Sequence, residues 1–181
     1  MNSDWTATRR QCLATLLAGP SGWPLASAQA GAQPVAQPGA RTGPTRGSIA
    51  WPALVTISGQ PIPAESWRGV PAVIVFWATY CAFCKRHNAH VDRLYRQVDP
   101  DQLRILGVVL DVDAAAARRY MRTQGYAFPV VVDDGRLRRQ FTERRVIPMT
   151  CTVSAEGQLL QCVPGEMAPE DVLGLARLAR T

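Results

Sequence analysis

The chain of 181 residues is 47% hydrophobic and 19% charged, which excludes a disordered polyelectrolyte and fits one globular domain of ordinary size plus a tail. Its formal charge of +6 rests on 20 basic residues, all arginine except Lys85, and no nucleic-acid-binding motif accompanies them. Five cysteines fall as one outlier, Cys12, and two pairs, Cys81 with Cys84 and Cys151 with Cys162.

The first element is an address. Thr8-Arg9-Arg10-Gln11-Cys12-Leu13 opens a short apolar run to Ala18, and Ala26-Ser27-Ala28 or Ala28-Gln29-Ala30 supplies a small-x-small end. Residues 1–30 therefore read as an export signal and imply a periplasmic protein. The arginine pair resembles the twin-arginine signal, with general secretion as the second route and a tail on a cytosolic protein as the bland one. Gly19, Pro20 and Pro24 interrupt the apolar stretch well short of the ~20 residues that span a membrane. Cleavage leaves an even four cysteines. Residues 31–47 have linker composition, and the packable domain runs over 48–181.

Trp51 to Ile62 alternates loosely around Ser58-Gly59-Gln60 and predicts a short hairpin. Ala72-Val73-Ile74-Val75-Phe76-Trp77 is a continuous apolar run, as in a strand buried on both faces. Val91, Leu94, Tyr95 and Val98 recur at helical spacing, so a helix is expected from Cys81 to Val98. A second strand follows at Ile105–Leu110, then a helix capped by Asp113 and ended by Gly125, and a third strand at 128–132. A short helix over 136–143, a hairpin of strands 150–154 and 158–163, and a helix from Pro169 complete the chain. Alternating elements that end in a hairpin and a helix predict an α/β fold with a mixed central sheet flanked by helices.

Cys81-Ala82-Phe83-Cys84 lies where a central strand hands over to a helix. Free N–H groups and the positive helix end stabilise a thiolate on the first cysteine, lowering its pKa from about 8.5. Cys81 is thus the expected attacking sulfur and Cys84 the resolving one. Zinc would need two more ligands at similar spacing, and Cys151 with Cys162 is not such a knuckle. No metal and no small-molecule cofactor is expected, the redox pair being the reactive group.

Phe76-Trp77-Ala78-Thr79-Tyr80-Cys81-Ala82-Phe83-Cys84-Lys85 resembles the thioredoxin superfamily, and in particular the TlpA/ResA-like exported thiol-disulfide oxidoreductases. Gly59-Gln60-Pro61-Ile62, Leu110-Asp111-Val112-Asp113, Phe128-Pro129-Val130, Ile147-Pro148-Met149-Thr150 and Glu156-Gly157 agree with that likeness over residues 48–181. The resemblance implies a thioredoxin fold with an N-terminal hairpin and an inserted strand-helix-strand. It also implies a cis proline at Pro148, with Trp77, Tyr80, Ile147 and Pro148 contacting substrate. Such enzymes reduce protein disulfides with electrons from a membrane thiol partner, here as a monomer, and cytochrome c maturation is the implied role.

Several features stand outside that likeness, among them Ala82-Phe83 where the family commonly has prolines. His87 stands where the family carries a glutamate, on the helix face of Cys84, and is either a thiol-tuning group or a surface histidine. Cys151 and Cys162 face each other if the hairpin loop is Glu156-Gly157, which permits a structural disulfide. They face opposite ways if the loop is Ala155-Glu156-Gly157, the family's usual turn. Arg136, Arg138, Arg139, Arg144 and Arg145 precede Pro148 as a solvated face or as a docking patch for an acidic partner. The runner-up functions are a disulfide-forming oxidase and, in a different class, a copper chaperone using Cys81, Cys84 and His87 with Met149 or Met167 nearby.

Overall fold

The computed structural model describes residues 47–180, so the expected export signal, Cys12 and the linker up to residue 46 lie outside the described residues. Strands β1 (Leu54–Val55) and β2 (Pro61–Ile62) pair as an antiparallel hairpin, shorter than the sequence pattern predicts. A 3-10 turn at Ala64–Trp67 leads to β3 (Ala72–Trp77) and α1 (Ala82–Gln97). Then come β4 (Arg104–Val109), α2 (Ala114–Gln124), β5 (Val130–Val132) and α3 (Arg136–Phe141). Strands β6 (Met149–Val153) and β7 (Leu159–Pro164) precede α4 (Pro169–Gly174), which tightens into a 3-10 helix at Leu175–Arg180.

The main sheet has the order β5-β4-β3-β6-β7, parallel from β3 to β5 and antiparallel across β6 and β7. This is the thioredoxin-like α/β fold with its small N-terminal hairpin. Every residue of β3 is buried because the pleat sends them alternately into two cores. Val73, Val75 and Trp77 meet α1, α2 and α4, whereas Ala72, Ile74 and Phe76 meet α3 and the 3-10 turn. Gly107 in β4 leaves room for that packing. A Cβ there would stand 2.8 Å from Phe128 and 2.9 Å from the Trp77 indole nitrogen, so no larger residue fits.

Helix α2 obeys its sequence signals: the Asp113 carboxylate accepts the Ala115 N–H, and Gly125 closes the helix at φ +70°. The third strand begins two residues later than expected, at Val130, because Phe128 turns into the core. The loop between β6 and β7 is the three-residue one: the Ser154 N–H donates to the Gln158 carbonyl and Gly157 has φ +79°. The expectation that such a loop turns the two cysteines to opposite faces is nevertheless wrong. Val153 pairs with Leu159 but Thr152 pairs with Gln161, so Leu160 is a bulge residue that shifts the register back by one. Cys151 therefore stands opposite Cys162.

Candidate active site

The site grows from the carboxyl end of β3. Beyond Trp77 the chain turns at Ala78-Thr79-Tyr80, and the Cys81 N–H donates to the Ala78 carbonyl. Asp111, just past β4, fixes that turn by accepting the Thr79 N–H at 2.9 Å and the Thr79 hydroxyl. Cys81 is the N-cap of α1, and its Sγ accepts the Cys84 N–H at 3.1 Å. One of the orphan amides at the helix start thus points at the first sulfur. Cys81 and Cys84 are joined as a disulfide with Cα atoms 5.2 Å apart. Cys81 is half-buried and Cys84 fully buried, so the first sulfur is the one an incoming thiolate can reach.

Across from the pair lies the Ile147-Pro148 peptide, which is cis. The Ile147 carbonyl stands 4.0 Å from Cys81 Sγ, and the buried Pro148 is anchored through its own carbonyl to the Gly165 N–H at 2.8 Å. Helix α1 is held to the rest of the domain by Asp92, whose carboxylate accepts the Ala127 N–H and the Arg96 guanidinium, both at 2.6 Å. Tyr80 and Phe83 are exposed beside Cys81, and the Arg86 guanidinium lies 4.9 Å from the Phe83 ring while forking onto Glu166.

Two expected site residues sit elsewhere. Trp77 does not reach the surface at all: it points from β3 into the core under Tyr120, with ring centroids 5.2 Å apart, because strand alternation places it on the α2 side. It supports the turn before Cys81 from below and offers no face to a substrate. His87 is not a surface histidine either. It is fully buried, accepts the Met167 N–H at Nδ1 (3.3 Å) and lies 2.9 Å from the Thr150 hydroxyl through Nε2. A backbone N–H only donates, so Nδ1 carries no proton and Nε2–H is the tautomer that donates to Thr150. Burial, helped by His90 and opposed by Glu166, lowers its pKa to about 4. His87 is thus a neutral strut between the redox helix, β6 and the loop before α4.

That arrangement removes the third ligand of a copper site. Both His87 nitrogens are engaged, and Met149 is buried on the other face of the sheet. Among the described residues no three His, Cys, Asp or Glu side chains gather as a metal site, and no helix is long and apolar enough to cross a membrane. Cys151 and Cys162 form the second disulfide, with Cα atoms 4.1 Å apart. Cys151 is buried beside Ile74 and Phe76, whereas Cys84 packs with Val73 and Trp77, so the sheet stands between the two bonds. Sequence reasoning missed Asp111, Thr150 and the Arg86–Glu166 pair as supports of the site. Only Asp111 left a signal, as the acidic residue closing an apolar strand.

The family model described as AhpC/TSA matches residues 51–160. Among characterised relatives, the thiol-disulfide oxidoreductase ResA of Bacillus subtilis is 26% identical over 110 residues, 61% of this chain and 62% of that protein. ResA of Halalkalibacterium halodurans is 25% identical over 119 residues, 66% of this chain and 68% of that protein. The chain thus spans about two thirds of the length of these relatives. In solved structures, the backbone is similar to a thiol:disulfide interchange protein of Chlorobium tepidum (TM-score 0.69, 22% identity, 78% of this chain and 100% of that one). StoA of Bacillus subtilis is similar too (TM-score 0.61, 21% identity, 72% and 96%). At those identities the structures speak for the fold.

Proposed function

The chain belongs to the AhpC/TSA family, and from that premise we propose that it is a thiol-disulfide oxidoreductase of the ResA kind that reduces protein disulfides through Cys81 and Cys84. The observation that carries this reading is the cap geometry: a reachable sulfur at a helix N-terminus, bonded to a buried partner, 4.0 Å from the Ile147 carbonyl. In the reduced enzyme the Cys81 thiolate attacks a substrate disulfide and forms a mixed disulfide, releasing one substrate thiolate. Cys84 then attacks Cys81, releasing the second substrate thiolate and closing the bond seen here. Ile147 and Pro148 form the edge on which an extended substrate lies, with Tyr80 as an apolar contact.

Residues 1–30 direct export to the periplasm, 31–47 serve as linker, and the domain over 48–181 acts as a monomer that a membrane thiol donor recharges. Its substrates are protein disulfides, and reduction of apocytochrome cysteines for cytochrome c maturation is the specific role. Export rests on the Arg9-Arg10 motif and its small-x-small end, and the cytochrome role on the resemblance of the motif around Cys81. A Cys84→Ala variant is expected to hold substrates on Cys81 as mixed disulfides, and an exported variant that traps nothing would refute the reading. The opposite direction, disulfide formation, uses the same residues. A potential near about −270 mV identifies a reductant, whereas one near about −120 mV identifies an oxidant.

A further inference from the structure

The loop between α3 and the Ile147-Pro148 edge does work that the reading above leaves unused. It is pinned at two points: the Arg144 N–H donates to the Thr142 hydroxyl at 3.0 Å, and Arg138 Nη2 donates to the Arg144 carbonyl at 2.7 Å. Arg138 is itself half-buried, with its guanidinium 6.0 Å from the Phe76 ring. One arginine of the run thus fixes the backbone of another and leaves that second side chain in solvent. Arg144 and Arg145 are both exposed, and among the described residues neither has a carboxylate partner, although Glu143 adjoins them. Arg86, on the other rim of the site, is matched by Glu166, and Arg136 by Asp134.

The placement gives these charges an address. Ile147 contacts Cys81, the half-exposed Val146 precedes it, and Arg145 and Arg144 lie two and three residues back. At no more than about 3.3 Å per residue, that is within roughly 7–10 Å of Ile147 along the chain. A peptide paired along this edge passes Arg145 and Arg144 two or three residues from the residue it sets opposite Ile147. Lys85, exposed next to Cys84, adds the same sign.

We propose that Arg144 and Arg145 select substrates whose cysteine is flanked, two or three positions away, by aspartate or glutamate. The proposal rests on Cys81 as the attacking sulfur and on Ile147 as the pairing edge. The reaction that tests it balances without a further reagent: the reduced Cys81–Cys84 dithiol gives two electrons and two protons to a symmetric peptide disulfide, yielding two peptide thiols and the enzyme disulfide.

Three such peptides, identical except for Asp, Ser or Lys at the flanking positions, are reduced by the wild-type protein while peptide thiol is followed by mass spectrometry. The Asp peptide should react about tenfold faster than the Lys peptide at about 0.02 M salt, with the Ser peptide between them and the ratio falling toward about two at about 0.5 M. In Arg144→Gln/Arg145→Gln the ratio should approach one. Equal rates for the three peptides, or a ratio that survives the double substitution, overturn the proposal and leave the oxidoreductase reading standing. A wild-type protein that reduces none of them, nor an uncharged small disulfide, brings down both.

Discussion

His87 shows how a single buried side chain ties a redox helix to two distant segments, through Thr150 and Met167. With Nδ1 committed to Met167 and Nε2–H to Thr150, protonation would force a second proton against a donor inside the core. Its folded pKa of about 4 lies below the ordinary 6.5, so between those values the unfolded chain binds more protons than the native one. The contribution is complete above pH 6.5 and is lost as pH falls toward 4. The unfolding free energy of the wild type, from urea titrations, should rise across that window with a slope of up to about 1.4 kcal/mol per pH unit. His87→Gln should be less stable at neutral pH and lack that segment of the curve. A variant with the wild-type slope would show that another group titrates. Spacing could place His87 on the face of Cys84, but i+3 geometry does not say whether that face meets a cleft or a core. Trp77 was illegible for a related reason, since a strand buried on both sides has no polar alternation to tell one face from the other.

At the scale of elements, order and type were readable because each carries local signals: an unbroken apolar run, an Asp cap, a terminal glycine, a proline at a helix start. The pairing of β6 with β7 was not. It depends on the Leu160 bulge, of which the turn residues carry no signal. Deleting Leu160 should remove the bulge and carry one unbroken register along the hairpin, with Thr152 still opposite Gln161 and Cys151 still opposite Cys162. Thiol counting after unfolding in a blocking reagent should then find no free thiol outside the redox pair, as in the wild type, whereas two free thiols would show that the register is set elsewhere. Replacing both Cys151 and Cys162 by alanine should lower stability by ~3 kcal/mol, the chain-entropy value for a loop of this length. Disulfide reduction through Cys81 should stay within about twofold of wild type, because the sheet separates the two bonds.

For the whole molecule, the direction of electron flow is written into the relative stability of its two redox forms. A strong oxidant is one whose reduced form is the more stable. A reductant therefore requires an oxidised form at least as stable as the reduced one, and equilibrium unfolding of the two forms, with Cys151–Cys162 intact in both, measures this directly. A reduced form more stable by several kcal/mol would make the protein an oxidant. The fold and the position of the cysteine pair were legible in the sequence because strand, motif and helix are contiguous in the chain. The parts that required the structure all join distant segments: Asp111 to Thr79, His87 to Thr150 and Met167, and Arg138 to the Arg144 carbonyl.

The burial of Cys151 beneath the sheet has a consequence for a protein that lives by losing and regaining a disulfide. Thiol exchange demands that an attacking sulfur approach along the axis of the bond it breaks; burial closes that line at Cys151 and at Cys84 and leaves one half-buried sulfur in each bond, Cys162 and Cys81. What sets the two bonds apart is their setting: Cys81 caps a helix, where the Cys84 N–H points at its sulfur and favours its thiolate, whereas Cys151 and Cys162 lie in paired strands. One sheet thus carries two crosslinks on its opposite faces, and the helix start at one of them marks it as the bond that is opened and closed.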